Sequence, residues 1–277
     1  MANTQNNERS DGRSSGRNRW AGKWALVTGA SAGIGQALAE QLAAGGAHLV
    51  LTARRKDRLE QLGAKLRNDH GVSVEIFIAD LAVPGAPEQI RAFTQSKKIE
   101  IELLVNNAGF GSYGSFHEAD VRRQLEMVQV NCAAVVALTH LYLPEMVARR
   151  HGDILILASV AGFQAVPYIS TYAATKAFDL RFAEGIAEEV RQHGVHVCAL
   201  CPGSTSTEFR EVAGQPENTF RGAETAEKVA RVGLRAVAQG KGSVISGLKN
   251  ALSVEGQRLA PRSMVTRVAA GMFAPKK

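Results

Sequence analysis

Tyr172 and Lys176 stand four residues apart in the segment YAATK, and Ser159 precedes the tyrosine by thirteen residues. On a helix, positions i and i+4 share a face, so the phenol and the ammonium can enter one cleft. A tyrosine hydroxyl ordinarily titrates near ~10, and a cation beside it favours the phenolate. That brings its proton into the range where general acid-base chemistry works at neutral pH. A solvated surface helix can carry the same pair, so its weight rests on what positions it. Ser159 ends an apolar run, 153–158, that reads as a strand. Open α/β sheets place their ligands at such strand ends. Asn131 lies in MVQVNCAAV, where an amide inside an apolar helical run needs a partner or costs free energy.

The elements that would hold these residues alternate along the chain. A strand beginning at Trp24 runs into TGASAGIG at 28–35 and then a helix, QALAEQLAAGG. Strand, glycine turn and helix N-terminus make an anion site, and Gly33 and Gly35 let a pyrophosphate approach the backbone. The spacing, T-G-x-x-x-G-x-G, differs from G-x-G-x-x-G but keeps its logic. A second strand, 48–53, ends at Thr52, Ala53 and Arg54 with no acid for a ribose 2′-hydroxyl. This favours NADP(H) over NAD(H), with Arg54 the first choice for the 2′-phosphate and Arg55 the second. A third strand, 72–79, delivers Asp80 and Leu81, where Asp80 can accept from an adenine amino group. A helix at 86–97 and a strand at 102–105 lead to Asn106-Asn107-Ala108-Gly109, and a long amphipathic run covers 121–149. The Tyr172 helix extends to about 192 with Ser170 as its cap, a strand at 195–200 opens into Pro202-Gly203-Ser204-Thr205-Ser206-Thr207, and 208–224 reads as a mobile cover. A helix at 226–238 and a strand at 242–246 follow. The alternation predicts an α/β fold: a single doubly wound Rossmann-type domain over 22–247, with a mainly parallel seven-stranded sheet flanked by helices on both faces.

At 277 residues, 45% hydrophobic and 21% charged, the chain has room for one such domain. No apolar run in the sequence suggests a bilayer span and the start lacks a signal-peptide core, so a cytoplasmic location is expected. The net charge of +7 sits in the tails: residues 1–23 carry five Lys/Arg against two acids, and 249–277 six against one. The body is then −1, with no basic stripe for nucleic acid. Cys132, Cys198 and Cys201 offer no disulfide framework, and the histidines form no ligand spacing, so no metal site is expected. Residues 1–21 read as a disordered polar tail. The extension 248–277 is basic and amphipathic, with a helix after Pro261; packing on the body or a subunit contact is expected ahead of peripheral membrane attachment.

With these pieces in order, the chain resembles the short-chain dehydrogenase/reductase family over about 22–247. The resemblance rests on TGASAGIG, Asp80, NNAG at 106–109, Asn131, Ser159, YAATK and PGSTST at 202–207. It implies a catalytic set of Asn131, Ser159, Tyr172 and Lys176. Tyr172 would donate the proton, Ser159 would bond the substrate oxygen, and Asn131 would hold a water beyond Lys176. Lys176 would hold the nicotinamide ribose and, with the positive nicotinamide of the oxidised cofactor, depress the tyrosine pKa. Cofactor contacts would come from Gly29, Ser31, Gly33, Ile34, Gly35, Arg54, Arg55, Asp80, Leu81, Asn107, Ala108, Gly109, Pro202, Gly203, Thr205 and Thr207, together with Tyr172 and Lys176. Thr207 would take the carboxamide. The implied activity is that of an NADP(H)-dependent carbonyl reductase or alcohol dehydrogenase, the second reading being a silent NADP(H) sensor or scaffold. A homodimer or homotetramer would form through the helices holding Asn131 and Tyr172. Phe110, Tyr113, Phe116, Phe163, Val166, Pro167, Tyr168 and Phe209 lie near the expected cleft and suggest an apolar small-molecule substrate.

Overall fold

Strand β1 (Trp24–Thr28) buries four of its five residues, as a strand covered on both faces must. The same logic builds β2 (His48–Ala53), β4 (Ile101–Asn106), β5 (Gly152–Leu157) and β6 (Val195–Cys201), whose apolar runs leave little exposed. The edge strands β3 (Val74–Ile78) and β9 (Ser243–Ile245) are shorter than their sequence runs and more exposed. In this computed structural model, which describes residues 19–215 and 222–275, all seven pair in parallel in the order β3-β2-β1-β4-β5-β6-β9. The expected seven-stranded doubly wound sheet is therefore seen. Strand order reverses beside β1, between β2 and β4, which opens a crevice at their carboxyl ends.

Helices α1 (Gly33–Ala44), α2 (Lys56–His70) and α8 (Ala226–Ala238) cover one face, where Leu38, Leu42, Leu59, Leu66, Val229 and Val237 meet the strands. The other face carries α3 (Ala86–Ser96), α4 (Val121–Val128), α5 (Ala134–Ala148) and α6 (Ser170–Val190). The run read as one long helix is α4 and α5 joined by a π turn, Gln129–Ala133, with Asn131 at its centre. By length and composition Val121–Ala148 could cross a membrane, which the sequence reading had not recognised. Met127, Leu138, Tyr142 and Met146 are instead buried in the core beneath the sheet.

Beyond β6, a two-residue parallel pair, β7 (Thr205–Ser206) with β8 (Glu224–Thr225), holds the two ends of the expected cover. Its first part is the short helix α7 (Phe209–Ala213), while 216–221 lie outside the described residues. The extension forms α9 (Leu248–Gln257) and α10 (Arg262–Phe273). Helix α10 packs on the body through Ala269 and Phe273, against Ala161, Val166, Ile169 and Ala173. The tail needs one correction. Residues 1–18 lie outside the described residues, but 19–21 belong to the folded body: Trp20 is buried, and its indole donates to Asp153 Oδ2 at 2.7 Å. Arg19 Nε meets the same oxygen at 2.8 Å, and His196 Nδ1 lies 3.1 Å from the other one.

Candidate active site

The crevice beside β1 is a cleft of about 290 Å³. Its floor is the glycine turn: Gly29 has φ +65°, and a Cβ on Gly35 would stand 2.4 Å from the Gly29 carbonyl oxygen and 2.3 Å from Asn107 Nδ2. Only glycine fits there. Thr28 Oγ1 accepts from the amides of Asn107 (2.9 Å) and Ala108 (3.0 Å), and Asn107 Nδ2 donates to the Thr28 carbonyl at 2.8 Å. The turn after β1 and the loop after β4 are thus one bonded unit. Ser31, Gly33, Ile34, Ala108, Gly109 and Thr207 also line the cleft. At its outer end stand Arg54, Arg55, Asp80 and Leu81. The Arg54 side chain is 61% exposed, 3.8 Å from the Asp80 carboxylate. Arg55 is engaged, donating to Ser31 Oγ at 3.1 Å and pairing with Glu208 at 2.7 Å, where Arg58 also binds. Hydrogen bonds from these two arginines hold the Glu208 carboxyl below its usual value.

Leu157, Phe110 and Phe209 form the inner end, and the expected catalytic residues adjoin it from behind. Ser159 follows β5, is largely buried, and accepts from the Ala161 amide at 3.1 Å. The half-buried Tyr172 ring packs on Phe209 with centroids 5.1 Å apart. Lys176, 4% exposed, donates to the Leu157 carbonyl at 2.5 Å and to Asp179 Oδ2 at 2.9 Å, with Nζ 6.0 Å from the Tyr172 ring centre. Burial alone would lower the Lys176 pKa, but Asp179 and Tyr172 carry it above the ordinary value. Withdrawal from water pushes the Tyr172 phenol up, outweighing the downward pulls of Lys176 and Ser159. The lysine acts in the expected downward direction, and burial is the larger effect in the protein without cofactor. Asn131, fully buried, accepts from the Phe110 amide at 3.1 Å. It donates to the Phe110 carbonyl and to Thr175 Oγ1, each at 3.0 Å. Both amide hydrogens are used, so the side chain acts as a clamp between the loop after β4 and α6.

Comparison with known proteins accords with this geometry. Residues 23–218 match the family model of short chain dehydrogenases. The chain belongs to the short-chain dehydrogenase family. It is 34% identical over 178 residues to a very-long-chain 3-oxoacyl-CoA reductase of Pyrenophora tritici-repentis, a match spanning 62% of this chain and 52% of that protein, so only about half its length. It is 28% identical over 233 residues to the 7β-hydroxysteroid dehydrogenase of Mediterraneibacter gnavus, covering 83% and 88% of the two chains. Among solved structures, a short-chain dehydrogenase from Sphingobium yanoikuyae in complex with NADPH superposes with a TM-score of 0.79 at 31% identity, over 88% of this chain and 95% of that one.

For this short-chain dehydrogenase the structure brings most of the anticipated residues to one crevice. Pro202, Gly203 and Thr205 do not line it and form the turn after β6, where the Pro202 carbonyl accepts from the Val160 amide at 3.0 Å; Asn131, Ser159, Tyr172 and Lys176 also stand behind its lining, adjoining it where Asn131 bonds Phe110, Lys176 bonds Leu157 and Tyr172 packs on Phe209. Ser170 is no cap: Ile169 holds that position, and Ser170 Oγ reaches back to the Val166 carbonyl from the first turn. Of the apolar set, Phe110 and Phe209 line the cleft, Val166 packs under α10, and Phe116 is 67% exposed. The Tyr113 hydroxyl donates to the Phe273 carbonyl at 2.8 Å, fixing α10 over this side of the site. Sequence reasoning missed Asp179, Thr175 and Glu208. For Asp179 the i+3 spacing to Lys176 was the available signal.

Proposed function

We propose that this protein interconverts carbonyl compounds and alcohols with NADP(H), using Tyr172 as the acid/base. The observation that carries the reading is the meeting of Ser159, Tyr172 and Lys176 directly behind the inner wall of a cleft whose floor only glycine can form, with Lys176 on the Leu157 carbonyl and Tyr172 against Phe209. The cleft suits a dinucleotide: the N-terminus of α1 faces it, and no acid ends β2. Arg54 at its mouth supports NADP(H) over NAD(H), and Arg55, held by Ser31 and Glu208, is the lesser candidate. A reduced nicotinamide bound there would supply hydride. Tyr172 would give its proton to the substrate oxygen, Ser159 would bond that oxygen as charge develops, and Lys176 would hold a ribose hydroxyl beside the phenol.

Phe110, Phe209 and the α10 contact favour an apolar substrate. The names of the fungal and bacterial relatives, for long-chain acyl thioesters and hydroxysteroids, support that class. Val121, Leu125 and Val128 on α4 and Phe178 on α6 are exposed apolar residues, which supports self-association along these helices. Replacing Tyr172 with Phe should leave NADPH binding within about twofold and remove ketone reduction by at least a thousandfold, on the scale of lost acid-base catalysis. Near-normal turnover would refute the assignment. A fully inert wild type across a ketone and aldehyde panel would favour the sensor reading.

A further inference from the structure

Lys176 does not face Tyr172 alone. Asp179, one turn further along α6 and fully buried, accepts from its ammonium at 2.9 Å, and the Leu157 carbonyl completes the grip at 2.5 Å. The other carboxylate oxygen, Oδ1, has no hydrogen-bond partner. A carboxylate in the interior with one oxygen unsatisfied is unfavourable for folding, since burial penalises the charge and the orphan acceptor alike. Packing gives no reason for an acid here, because the neighbouring Leu180 and Ala183 are core residues of the ordinary apolar kind. The site chemistry supplies one.

We propose that Asp179 is a positioning residue of the reaction centre: its carboxylate fixes the Lys176 ammonium on the Leu157 carbonyl and cancels part of the charge that Lys176 imposes on Tyr172. The inference rests on Tyr172 being the acid/base. The groups facing Asp179 and Lys176 are Tyr172 on the same helix, Cys132 from the π turn and Cys201 from β6. Burial pushes both thiols to about 12, so they are neutral across the working range. That leaves Lys176 and Asp179 as the opposed charges acting on the phenol. With both present, Tyr172 keeps its proton further into alkaline solution than the lysine alone would allow.

The test is Asp179→Asn, which keeps the shape and removes the charge. The alkaline limb of kcat/KM for ketone reduction with NADPH should move to lower pH, and the Tyr172 phenol should titrate earlier. The phenol is read without turnover as the ultraviolet difference between each protein and its Tyr172→Phe counterpart. A merely structural role would lower Tm and leave both profiles in place, and that result overturns the proposal. If Asp179→Asn does not fold, Asp179→Ser, which also removes the charge, is titrated in the same way: a phenol titrating earlier than in wild type supports the proposal, and one titrating where the wild type does overturns it. Should Tyr172→Phe remain active, the acid/base reading fails, while the difference titration still reports on the charge balance.

Discussion

Asn131→Ala separates the clamp described above from a purely chemical role for that residue. The amide is fully buried and satisfies both the N–H and the C=O of Phe110, with a third bond to Thr175. Truncation orphans the two Phe110 groups. Thr175 loses least, because its hydroxyl still donates to the Tyr172 carbonyl at 2.8 Å. At about 1–3 kcal/mol for each orphaned buried group, the cost is about 2–6 kcal/mol. At about 2–4 °C per kcal/mol for a chain of this size, Tm should fall by roughly 10 °C. Urea unfolding followed by circular dichroism reads the same quantity through a lower midpoint at an unchanged slope. Activity should fall with it, since Phe110 lines the cleft and α6 carries Tyr172. A loss below about 1 kcal/mol, the ordinary scale of a surface substitution, would show that the clamp does not hold the loop to the helix.

Gly35→Ala should abolish measurable NADPH binding in a folded protein, because the new methyl would collide with the Gly29 carbonyl; titration within tenfold of wild type would refute this. Arg54→Ala should weaken NADPH about tenfold, some 1.4 kcal/mol, and leave NADH unchanged, measured by fluorescence titration; equal losses for both cofactors would contradict the phosphate role. The tyrosine pKa is raised and reduction uses the protonated phenol, so kcat/KM for reduction should be flat through neutral pH and fall only as pH rises past that value. Oxidation, which needs the phenolate, should climb over the same interval. Removing residues 261–277 should lower kcat/KM for an apolar ketone about tenfold or more through loss of the α10 wall, with no change in vesicle co-sedimentation; reduced sedimentation would restore the membrane reading.

The sheet was legible because its strands are apolar runs closed by Gly, Asn and Asp, and the proximity of Ser159, Tyr172 and Lys176 because a strand end and one helical turn place them. The π turn at 129–133 was not, since one extra residue in a helix leaves the apolar rhythm nearly intact. Asp179 drew no notice as one polar residue on a long helix, and only tertiary packing shows it to be fully buried. Ser170 has the chemistry of a cap, but the Val166 carbonyl within reach of its hydroxyl draws it into the first turn. Arg55 and Glu208 are 153 positions apart, and no local pattern announces a bond across that distance.

The docking of Arg19 and Trp20 onto Asp153 separates two boundaries that are easily taken for one. The match to the family model begins at residue 23, yet among the described residues groups on which the interior depends already lie at 19 and 20. A version trimmed to the edge of the homology would strand the fully buried Asp153 without its cation and its indole, keeping only the histidine. Removing one side of a buried charge pair typically costs about 3–5 kcal/mol. A cut at residue 22 would therefore be felt at the base of the central strands.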